Sequence, residues 1–477
     1  MERLGSLHFR LAACVLACAA VGARGAPNAR AAAPRTPLAR RTLARATAPQ
    51  PADDWPEPRA AGAPARATAR EIASSAALIA GTTVGAGALA LPGATAPCGF
   101  VPSAAALVVG WALMASSGLL VAEVTAAAAR ETSSPGVGLL AATELTLGSR
   151  AGAVAGAGSA LVQLALLSAY TAQGGDDVSR ALAAAAGAAG VAAPPPFVGP
   201  FAFTAALGGC AALGNGRVLG VVNALLVGAL LASFAALLAL AAPAVSARGL
   251  LEPRDWGRAV DAFPICVLAL VFHNVVPAVT RALRGEASAI RLAVLGGSAV
   301  PLVMFLLWDG AVLGAAPIGG ADGPPAVVDA LAPLRALGER GGLAGSAVPA
   351  FSIAAVGTSY LGFCIGQHDV LVDAMRVTRG DRAAELGAYA LVLGPPLALA
   401  CALPGVFAPA LDVAGTFGVS TLYALLPAAL AWTQRSRSQP RAPSEPLLPG
   451  GRGALLAVGG AALAVVVEGA LDQAGLL

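Results

Sequence analysis

The sequence predicts an all-α protein that crosses a membrane many times. Of its 477 residues, 57% are hydrophobic and 12% are charged, against about 25% charged residues in an average soluble domain. Apolar runs of the length that a helix needs to cross a bilayer recur along the chain. The net charge of +4 is small and is carried by arginine without lysine, so no nucleic-acid partner is indicated.

Eleven apolar segments meet the spanning length, with tilted and broken segments included. They lie at 72–92, 102–126, 152–175, 198–214, 217–241, 262–280, 289–313, 343–365, 386–406, 413–432 and 454–470. Arginine is concentrated in the connections after even-numbered segments. The odd-numbered connections are more acidic. Asp309 is assigned to one of these connections, together with Asp322, Asp329 and Glu339. Because cytoplasmic loops are rich in arginine and lysine, the N-terminus is predicted on the cytoplasm-like side and the C-terminus opposite.

The first 70 residues have a different composition and are interpreted as a targeting presequence followed by a disordered linker, before a transmembrane domain at 71–470. Leu11 to Val21 has the length of a signal-peptide apolar core, and Asn28 to Ala48 is rich in Arg, Ala, Thr and Pro without an acidic residue. A signal followed by a transit segment resembles the bipartite presequence of algae with complex plastids. The predicted location is therefore the plastid inner envelope, with the plasma membrane or another endomembrane as the alternative.

The first segment, Ile72 to Pro92, is interrupted at its centre by the sequence Gly81-Thr-Thr-Val-Gly-Ala-Gly87. Glycine is unfavourable inside a helix. At the depth of the bilayer centre, a helix break persists only where the backbone lines a cavity inside the protein. Broken helices of this kind hold substrate in secondary transporters. The alternative is a packing face, since small residues four positions apart let membrane helices approach closely.

The sixth segment, Ala262 to Val279, is also interrupted. It has Pro264 near one end, Pro277 near the other, and the polar pair His273-Asn274 between apolar runs. The first and sixth segments are five helices apart, so each opens one half of a chain with two five-helix repeats. Paired interruptions at corresponding positions of two halves predict a binding site at the membrane centre.

Several motifs carry a family resemblance. They are GTTVGAGALALP at Gly81 to Pro92, YTAQGGD at Tyr170 to Asp176, LVFHNVVPAV at Leu270 to Val279, YLGFCIGQHDVLVDAMR at Tyr360 to Arg376 and LVLGPPLALACALPGVFAPALDVAG at Leu391 to Gly415. They resemble the tryptophan/tyrosine-specific permeases of the amino acid-polyamine-organocation superfamily. The resemblance implies eleven spans with a five-plus-five inverted repeat and proton-coupled uptake of tyrosine or tryptophan, tyrosine being preferred. The chain departs from the family pattern at Gln367-His368.

On that scaffold a substrate site is predicted at the two breaks and on the third segment. Backbone amides of the first break are expected to bind the substrate carboxylate, and carbonyls of both breaks to accept from its ammonium. A phenol and an amide on the third segment are expected to add hydrogen bonds, although a single Tyr is also typical of the membrane interface. The predicted residues are Thr82, Thr83, Gly85, Ala86, Gly87, Tyr170, Gln173, Phe272, His273 and Asn274.

The coupling ion is predicted to be a proton, carried by His273, because histidine titrates near physiological pH; a packing role beside the substrate is the alternative. Ser352, Thr358 and Ser359 on the eighth segment are a possible sodium site by resemblance to the superfamily. Hydroxyls also bond to their own helix without any such function.

Other carboxylates are given structural roles. Glu123 is expected to pair with Arg130 or to extend towards the membrane surface. Asp176 and Asp177, just past the third segment, are expected to form a solvated rim.

A membrane-embedded acyltransferase is the alternative from another class, because His368 and Asp373 have the H-x4-D spacing of such enzymes. A channel is a third interpretation, disfavoured because the sequence has no repeated pore loop. The scattered cysteines suggest neither a disulfide framework nor a metal site. No cofactor is expected, and the predicted partners are an aromatic amino acid, the coupling ion and the lipid bilayer.

Overall fold

The computed structural model describes residues 66–132, 137–251, 255–315, 342–375, 381–403, 405–436 and 446–474. Most of the predicted presequence, up to residue 65, lies outside these ranges. The α-helices are α1 (Ala69–Thr83), α2 (Gly87–Thr95), α3 (Phe100–Thr132), α4 (Leu139–Leu147), α5 (Ser149–Ala188), α6 (Val198–Phe203), α7 (Gly209–Leu213), α8 (Gly216–Ala241), α9 (Ala247–Leu251), α10 (Arg258–Ala269), α11 (Val276–Ala282), α12 (Ala287–Gly314), α13 (Gly342–Met375), α14 (Arg382–Ala402), α15 (Phe407–Val413), α16 (Leu426–Ser436) and α17 (Gly451–Gln473). Two π-helices join neighbouring α-helices, Thr204–Gly208 between α6 and α7 and Ala414–Leu425 between α15 and α16.

Each predicted span coincides with helical structure, and the all-α membrane fold is confirmed. Among the described residues, eight helices are long and apolar enough to cross a membrane, and α1 with α2 adds a ninth if the pair is one span bent by 58°. The fourth predicted segment is the shorter stretch Val198–Leu213. The sixth is divided into α10 and α11. The total of eleven spans and the internal repeat therefore stay predictions.

The start of α1 is fixed by a capping box. The Thr68 hydroxyl accepts from the Glu71 N–H at 3.3 Å, and the Glu71 carboxylate accepts from the Thr68 N–H at 2.7 Å. The same carboxylate forms an ion pair at 3.0 Å with Arg284, which follows α11. The beginning of the first broken span is thereby attached to the end of the second.

The centre of the bundle is occupied by α2. Residues 88–92 of this short helix are all buried, which is typical of a helix surrounded by other helices. It packs against α10, α12 and α13. Apolar side chains on α3, α8 and α12 point outward instead, among them Val109, Leu225 and Leu292. An apolar outer surface suits a bundle surrounded by lipid.

Candidate functional site

The first helix break lies at residues 84–86, between α1 and α2. The Ala86 N–H donates to the Ser359 hydroxyl on α13 at 3.2 Å. The Gly85 N–H forms no hydrogen bond within the described part of the chain. Gly87 is the first residue of α2, so its N–H also has no acceptor in its own helix. Donors are therefore exposed at the positive end of α2.

Two glycines allow other helices to approach this break. A Cβ atom at residue 87 would lie 2.7 Å from the Cα and 2.9 Å from the Cβ of Ala269, the last residue of α10. A Cβ atom at residue 85 would overlap the Ser359 hydroxyl. The close approach of α2 to α10 thus requires a residue without a side chain at position 87.

The second break lies at residues 270–275, between α10 and α11. Pro277 lies in the first turn of α11, where its missing N–H costs no helical hydrogen bond. Among the described residues, the Leu270 and Val271 carbonyls accept no backbone hydrogen bond. Because Ala269 contacts Gly87, the two breaks lie side by side.

A cavity of about 60 Å³ lies between the two breaks. Among the predicted site residues, its wall contains Thr82, Thr83, Gly85, Ala86, Gly87, Tyr170 and Asn274. The Tyr170 hydroxyl on α5 lies near Ser359, which also lines the cavity. No charged side chain is present among the described residues of the wall. The cavity therefore offers neutral hydrogen-bonding groups and backbone dipoles.

Four polar or aromatic wall residues were missed by the sequence analysis: Ser159, Gln163, Phe363 and Tyr423. The two on α5 could have been found, because Ser159 and Gln163 lie 11 and 7 residues before Tyr170. These spacings are close to three and two full helix turns, which places all three residues on one helix face. Phe363 falls within a motif of the family resemblance, and its ring packs edge-on against Tyr170 with the centroids 5.8 Å apart. Tyr423 lies in the π-helix, whose altered register a sequence pattern does not indicate.

Phe272 and His273 lie behind the cavity wall. Both are buried, and their rings stack with the centroids 4.9 Å apart. The His273 ring also lies 5.2 Å from that of Tyr423, which does line the cavity. Neither ring nitrogen of His273 makes a well-formed hydrogen bond within the described residues, and the polar group beside the ring is the backbone of Met114.

Gln173 lies outside the cavity wall, in a separate polar cluster. Its amide donates to Asp177 at 3.2 Å and to the Ser352 hydroxyl at 3.1 Å, and that hydroxyl donates to Asp177 at 2.5 Å. Asp177 also pairs with Arg180. The expectation of a solvated rim is wrong for Asp177, which is buried because α5 continues to Ala188. It holds for Asp176, whose side chain is exposed.

The three hydroxyls of the possible sodium site have different partners. Ser352 belongs to the Asp177 cluster, and Ser359 accepts from the first break. The Thr358 hydroxyl donates to the Ala355 carbonyl of its own helix at 3.1 Å. The structure therefore does not bring the three together around one point.

Glu123 forms a buried ion pair, but the partner predicted from sequence is wrong. Both carboxylate oxygens accept from Arg435 on α16, at 2.7 and 2.8 Å. The Leu447 N–H donates to the same carboxylate at 2.9 Å. Arg130 lies two helix turns further along α3 and is exposed. The true partner is 312 residues away in the sequence, so helix spacing alone could not reveal it.

The residues of the enzyme alternative show no catalytic arrangement in the described part of the chain. The His368 ring stacks on Tyr389 with the centroids 3.9 Å apart. Its Nδ1 lies 3.5 Å from the carboxylate of Asp369, the neighbouring residue. The side chain of Asp373 lies outside the described residues.

A bundle of apolar helices with two broken helices around a central cavity defines a polytopic membrane transporter. The model of the tryptophan/tyrosine permease family matches residues 68–468. The chain belongs to this family of aromatic amino acid permeases. The acyltransferase interpretation is therefore wrong.

Curated relatives agree with the family. Tyrosine-specific transport system 2 of Haemophilus influenzae is 32% identical over 367 residues, which cover 76% of this chain and 87% of that protein. Tyrosine-specific transport system 1 of the same bacterium is 30% identical, with 75% and 87% covered. A tryptophan-specific transport protein of Pseudomonas aeruginosa is 26% identical, with 76% and 85% covered.

Solved structures show the same fold. MhsT in complex with L-phenylalanine superposes with a TM-score of 0.53 at 14% identity, over 86% of this chain and 100% of that chain. MHP1, a nucleobase-cation-symport-1 family transporter, superposes with a TM-score of 0.52 at 14% identity, over 84% and 88%. At this identity the likeness concerns the fold alone.

Proposed function

We propose that this protein is a proton-coupled symporter of an aromatic amino acid, with tyrosine preferred over tryptophan. The observation that supports it most is the pair of helix breaks at one cavity, whose wall contains Gly85 and Gly87 of the first break and Val271 of the second. The preference is supported by the relatives, because the two tyrosine-specific systems are 32% and 30% identical to the chain and the two tryptophan-specific proteins 26% and 27%.

In this proposal the backbone recognises the amino acid end of the substrate. The N–H groups of Gly85 and Gly87 bind the carboxylate at the positive end of α2. The carbonyl of Val271, which lines the cavity, accepts from the ammonium, and Asn274 adds a neutral side chain that costs less to desolvate than a charge. The Tyr170 hydroxyl lies near Ser359, which accepts from the Ala86 N–H of the first break. This places the phenol beside the substrate carboxylate.

The side chain of the substrate packs against the aromatic part of the wall, which includes Phe363 and Tyr423. The cavity of about 60 Å³ is smaller than the roughly 300 Å³ of the smallest usual ligand sites. Substrate binding therefore requires α5 and the π-helix at Ala414–Leu425 to separate from the broken helices. Motion of helices around a fixed central site is the usual basis of alternating access.

Uptake of labelled tyrosine into proteoliposomes, under separately imposed proton and sodium gradients, tests the proposal. We expect a proton gradient to drive accumulation, a sodium gradient alone to drive none, and tryptophan to compete better than leucine. Accumulation driven only by sodium would reject the proton, and competition by leucine equal to that by tryptophan would reject aromatic selectivity.

His273 is proposed as a proton carrier because it is a titratable group next to the cavity residue Tyr423. We expect His273→Gln to flatten the dependence of uptake on pH across the range in which histidine titrates. His368→Gln, which changes the histidine stacked on Tyr389 away from the cavity, is the matched control and should keep the wild-type profile. An unaltered profile in His273→Gln would leave this ring only a packing role.

We further propose that the mature transporter lies in the plastid inner envelope. The support is the composition of residues 1–70, with an apolar core followed by an arginine-rich, acid-free segment. A fluorescent protein fused behind residues 1–70 should enter plastids in an alga with complex plastids. Fluorescence confined to the plasma membrane or secretory system would contradict the assignment.

A further inference from the structure

A third buried carboxyl group, besides Glu123 and Asp177, lies at the end of α2 that is remote from the first helix break. Asp309 on α12 is fully buried. One carboxyl oxygen lies 2.6 Å from the hydroxyl of Thr95, the last residue of α2. The other lies 2.5 Å from the Ser103 hydroxyl on α3. From the sequence, Asp309 was predicted in an acidic connection, and the structure corrects this because α12 continues to Gly314.

No basic side chain forms an ion pair with Asp309 in the described residues. The other buried carboxylates differ in this respect, because Asp177 pairs with Arg180 and Glu123 with Arg435. An unpaired charge in the membrane interior is costly, so such a carboxyl group is favoured in its protonated form or beside a bound cation. The thiol of Cys266 on α10 is a titratable neighbour of Asp309.

Within the described structure, charged residues on the helices packed against α12 form no hydrogen bond or ion pair with Asp309, whose partners are the Thr95 and Ser103 hydroxyls. Those elements are α1, α2, α3, α8, α9 and α11, and α2 has no charged residue at all. Helix α10 is included with them because it carries Cys266, a titratable neighbour of Asp309. The charged residues on the others are Arg70, Glu71, Glu123, Arg130, Glu131, Arg217, Arg248, Arg258, Asp261 and Arg281.

The hydrogen bonds around Asp309 accommodate one additional proton. The Thr95 hydroxyl lies 2.8 Å from the Leu91 carbonyl, and the Ser103 hydroxyl 2.9 Å from the Phe100 carbonyl. Each hydroxyl has one proton. When Asp309 is charged, both hydroxyls donate to it. When it is protonated, the carboxyl group donates to one hydroxyl, which then donates to its own carbonyl.

The same geometry favours a proton over a metal ion. Oxygen separations of 2.5 and 2.6 Å are hydrogen-bond distances between directly contacting atoms. A cation between the carboxylate and either hydroxyl would require those atoms to move apart, because each must be at bonding distance from the ion. In the described structure each carboxyl oxygen of Asp309 already has a hydroxyl partner, and no ion is needed between them.

Asp309 also has a mechanical connection to the first helix break. The adjacent residue Trp308 donates its indole N–H to the Ala88 carbonyl at 2.8 Å. Consecutive residues of α12 thus hold both ends of α2: Trp308 the beginning and Asp309 the end, through Thr95. Thr95 of the cluster is followed directly by the loop after α2, in which Pro97 is exposed. A change in the hydrogen bonds of Asp309 therefore acts on the helix whose first amides face the substrate cavity.

We propose that Asp309, with Thr95 and Ser103, is a proton-binding site of the transport cycle, separate from His273. An O–H bond forms on the carboxylate with a proton taken from water near the Pro97 loop. It breaks when the proton passes to water on the opposite side after α2 has moved. The coupling role rests on the proposed proton symport, whereas the binding of a proton by Asp309 does not.

Two measurements separate these claims. Infrared difference spectra of the full protein in lipid, taken between acidic and alkaline pH, should contain a protonated carboxyl band that Asp309→Asn lacks and Asp261→Asn keeps. Asp261 is the matched control because it is exposed and paired with Arg258 at 3.2 Å. Identical bands in wild type and Asp309→Asn would reject proton binding, whether or not the protein transports tyrosine.

The coupling role is tested by transport. Asp309→Asn keeps the side-chain size, and we expect it to lose accumulation of labelled tyrosine under a proton gradient while exchange of internal for external tyrosine stays within about twofold of wild type. Proton-driven accumulation equal to wild type, or equal loss of exchange and accumulation, would overturn the coupling role. Wild type without proton-driven uptake would instead reject the proposed symport.

Ser103→Ala provides a variant that keeps the carboxyl group. The Ser103 hydroxyl donates to the charged form of Asp309. Its loss should shift the pH at the midpoint of the infrared titration by about one unit, because a hydrogen bond to a charged group usually contributes at least that much. An unchanged midpoint would contradict the site even if Asp309→Asn proved unstable.

Discussion

Replacing Gly87 by alanine should strongly reduce tyrosine uptake, because the added methyl group has no space. Its Cβ would lie 2.7 Å from the Cα of Ala269, a backbone atom that cannot turn aside as a flexible side chain does. The end of α10 and the beginning of α2 must therefore move apart. Overpacking of this kind costs about 1–3 kcal/mol in folding free energy, and it also displaces the amides proposed to bind the carboxylate.

We expect uptake by Gly87→Ala to fall by roughly tenfold or more, since about 1.4 kcal/mol of lost binding already gives that factor. Gly81→Ala is the matched control, because Gly81 lies on α1 with nothing within 4 Å of the added Cβ, and alanine favours the helix. Its uptake should equal that of wild type. Full uptake by Gly87→Ala would mean that the breaks do not hold substrate between them.

The helix breaks were predictable from sequence because their causes are local. Clustered glycines at Gly81 to Gly87 disfavour a helix wherever they occur, and Pro277 fixes a helix start through its missing N–H. The structure ends α1 and begins α11 near these residues. Composition likewise sufficed for the membrane class, since a bilayer requires long apolar helices.

The polar partners were not predictable, because they depend on how distant helices are rotated against each other. Gln173 was expected to point to the same side as Tyr170, yet it belongs to the cluster of Asp177 and Ser352 on another helix. Tyr170 and Gln173 are three residues apart, which is a rotation of about 300° around the helix axis and not a full turn. Their side chains therefore point in different directions and can lie in two environments. Asp309 was assigned to a connection for a related reason, since its hydroxyl partners are more than 200 residues away.

Loss of the Glu123 charge should give the largest loss of stability. The carboxylate is 2% exposed and accepts from Arg435 and from the Leu447 N–H. Glu123→Gln keeps the size of the side chain but leaves the mostly buried guanidinium of Arg435 without a counter-charge. Removing one partner of a buried pair costs about 3–5 kcal/mol.

The connection before α17 should be released at the same time. Arg435 donates to the Leu448 carbonyl at 3.1 Å, and Arg291 donates to the Leu447 carbonyl at 2.9 Å. With Glu123 neutral, Arg435 loses the carboxylate that orients it towards Leu448. We therefore expect the segment at residues 446–450 to become more accessible to hydrogen exchange, while the Arg291 contact keeps part of it in place.

Thermal unfolding of the purified protein, followed by a thiol-reactive dye, measures the effect, because Cys98, Cys266 and Cys364 are buried until the fold opens. We expect Glu123→Gln to lower the unfolding temperature strongly, and Arg130→Gln, which changes the exposed arginine first predicted as the partner, to leave it unchanged.

In the double variant Glu123→Gln with Arg435→Gln, no unpaired charge remains, so part of the stability should return. Strictly additive losses would show that the two side chains act independently, and a larger loss in Arg130→Gln would restore the pairing predicted from sequence.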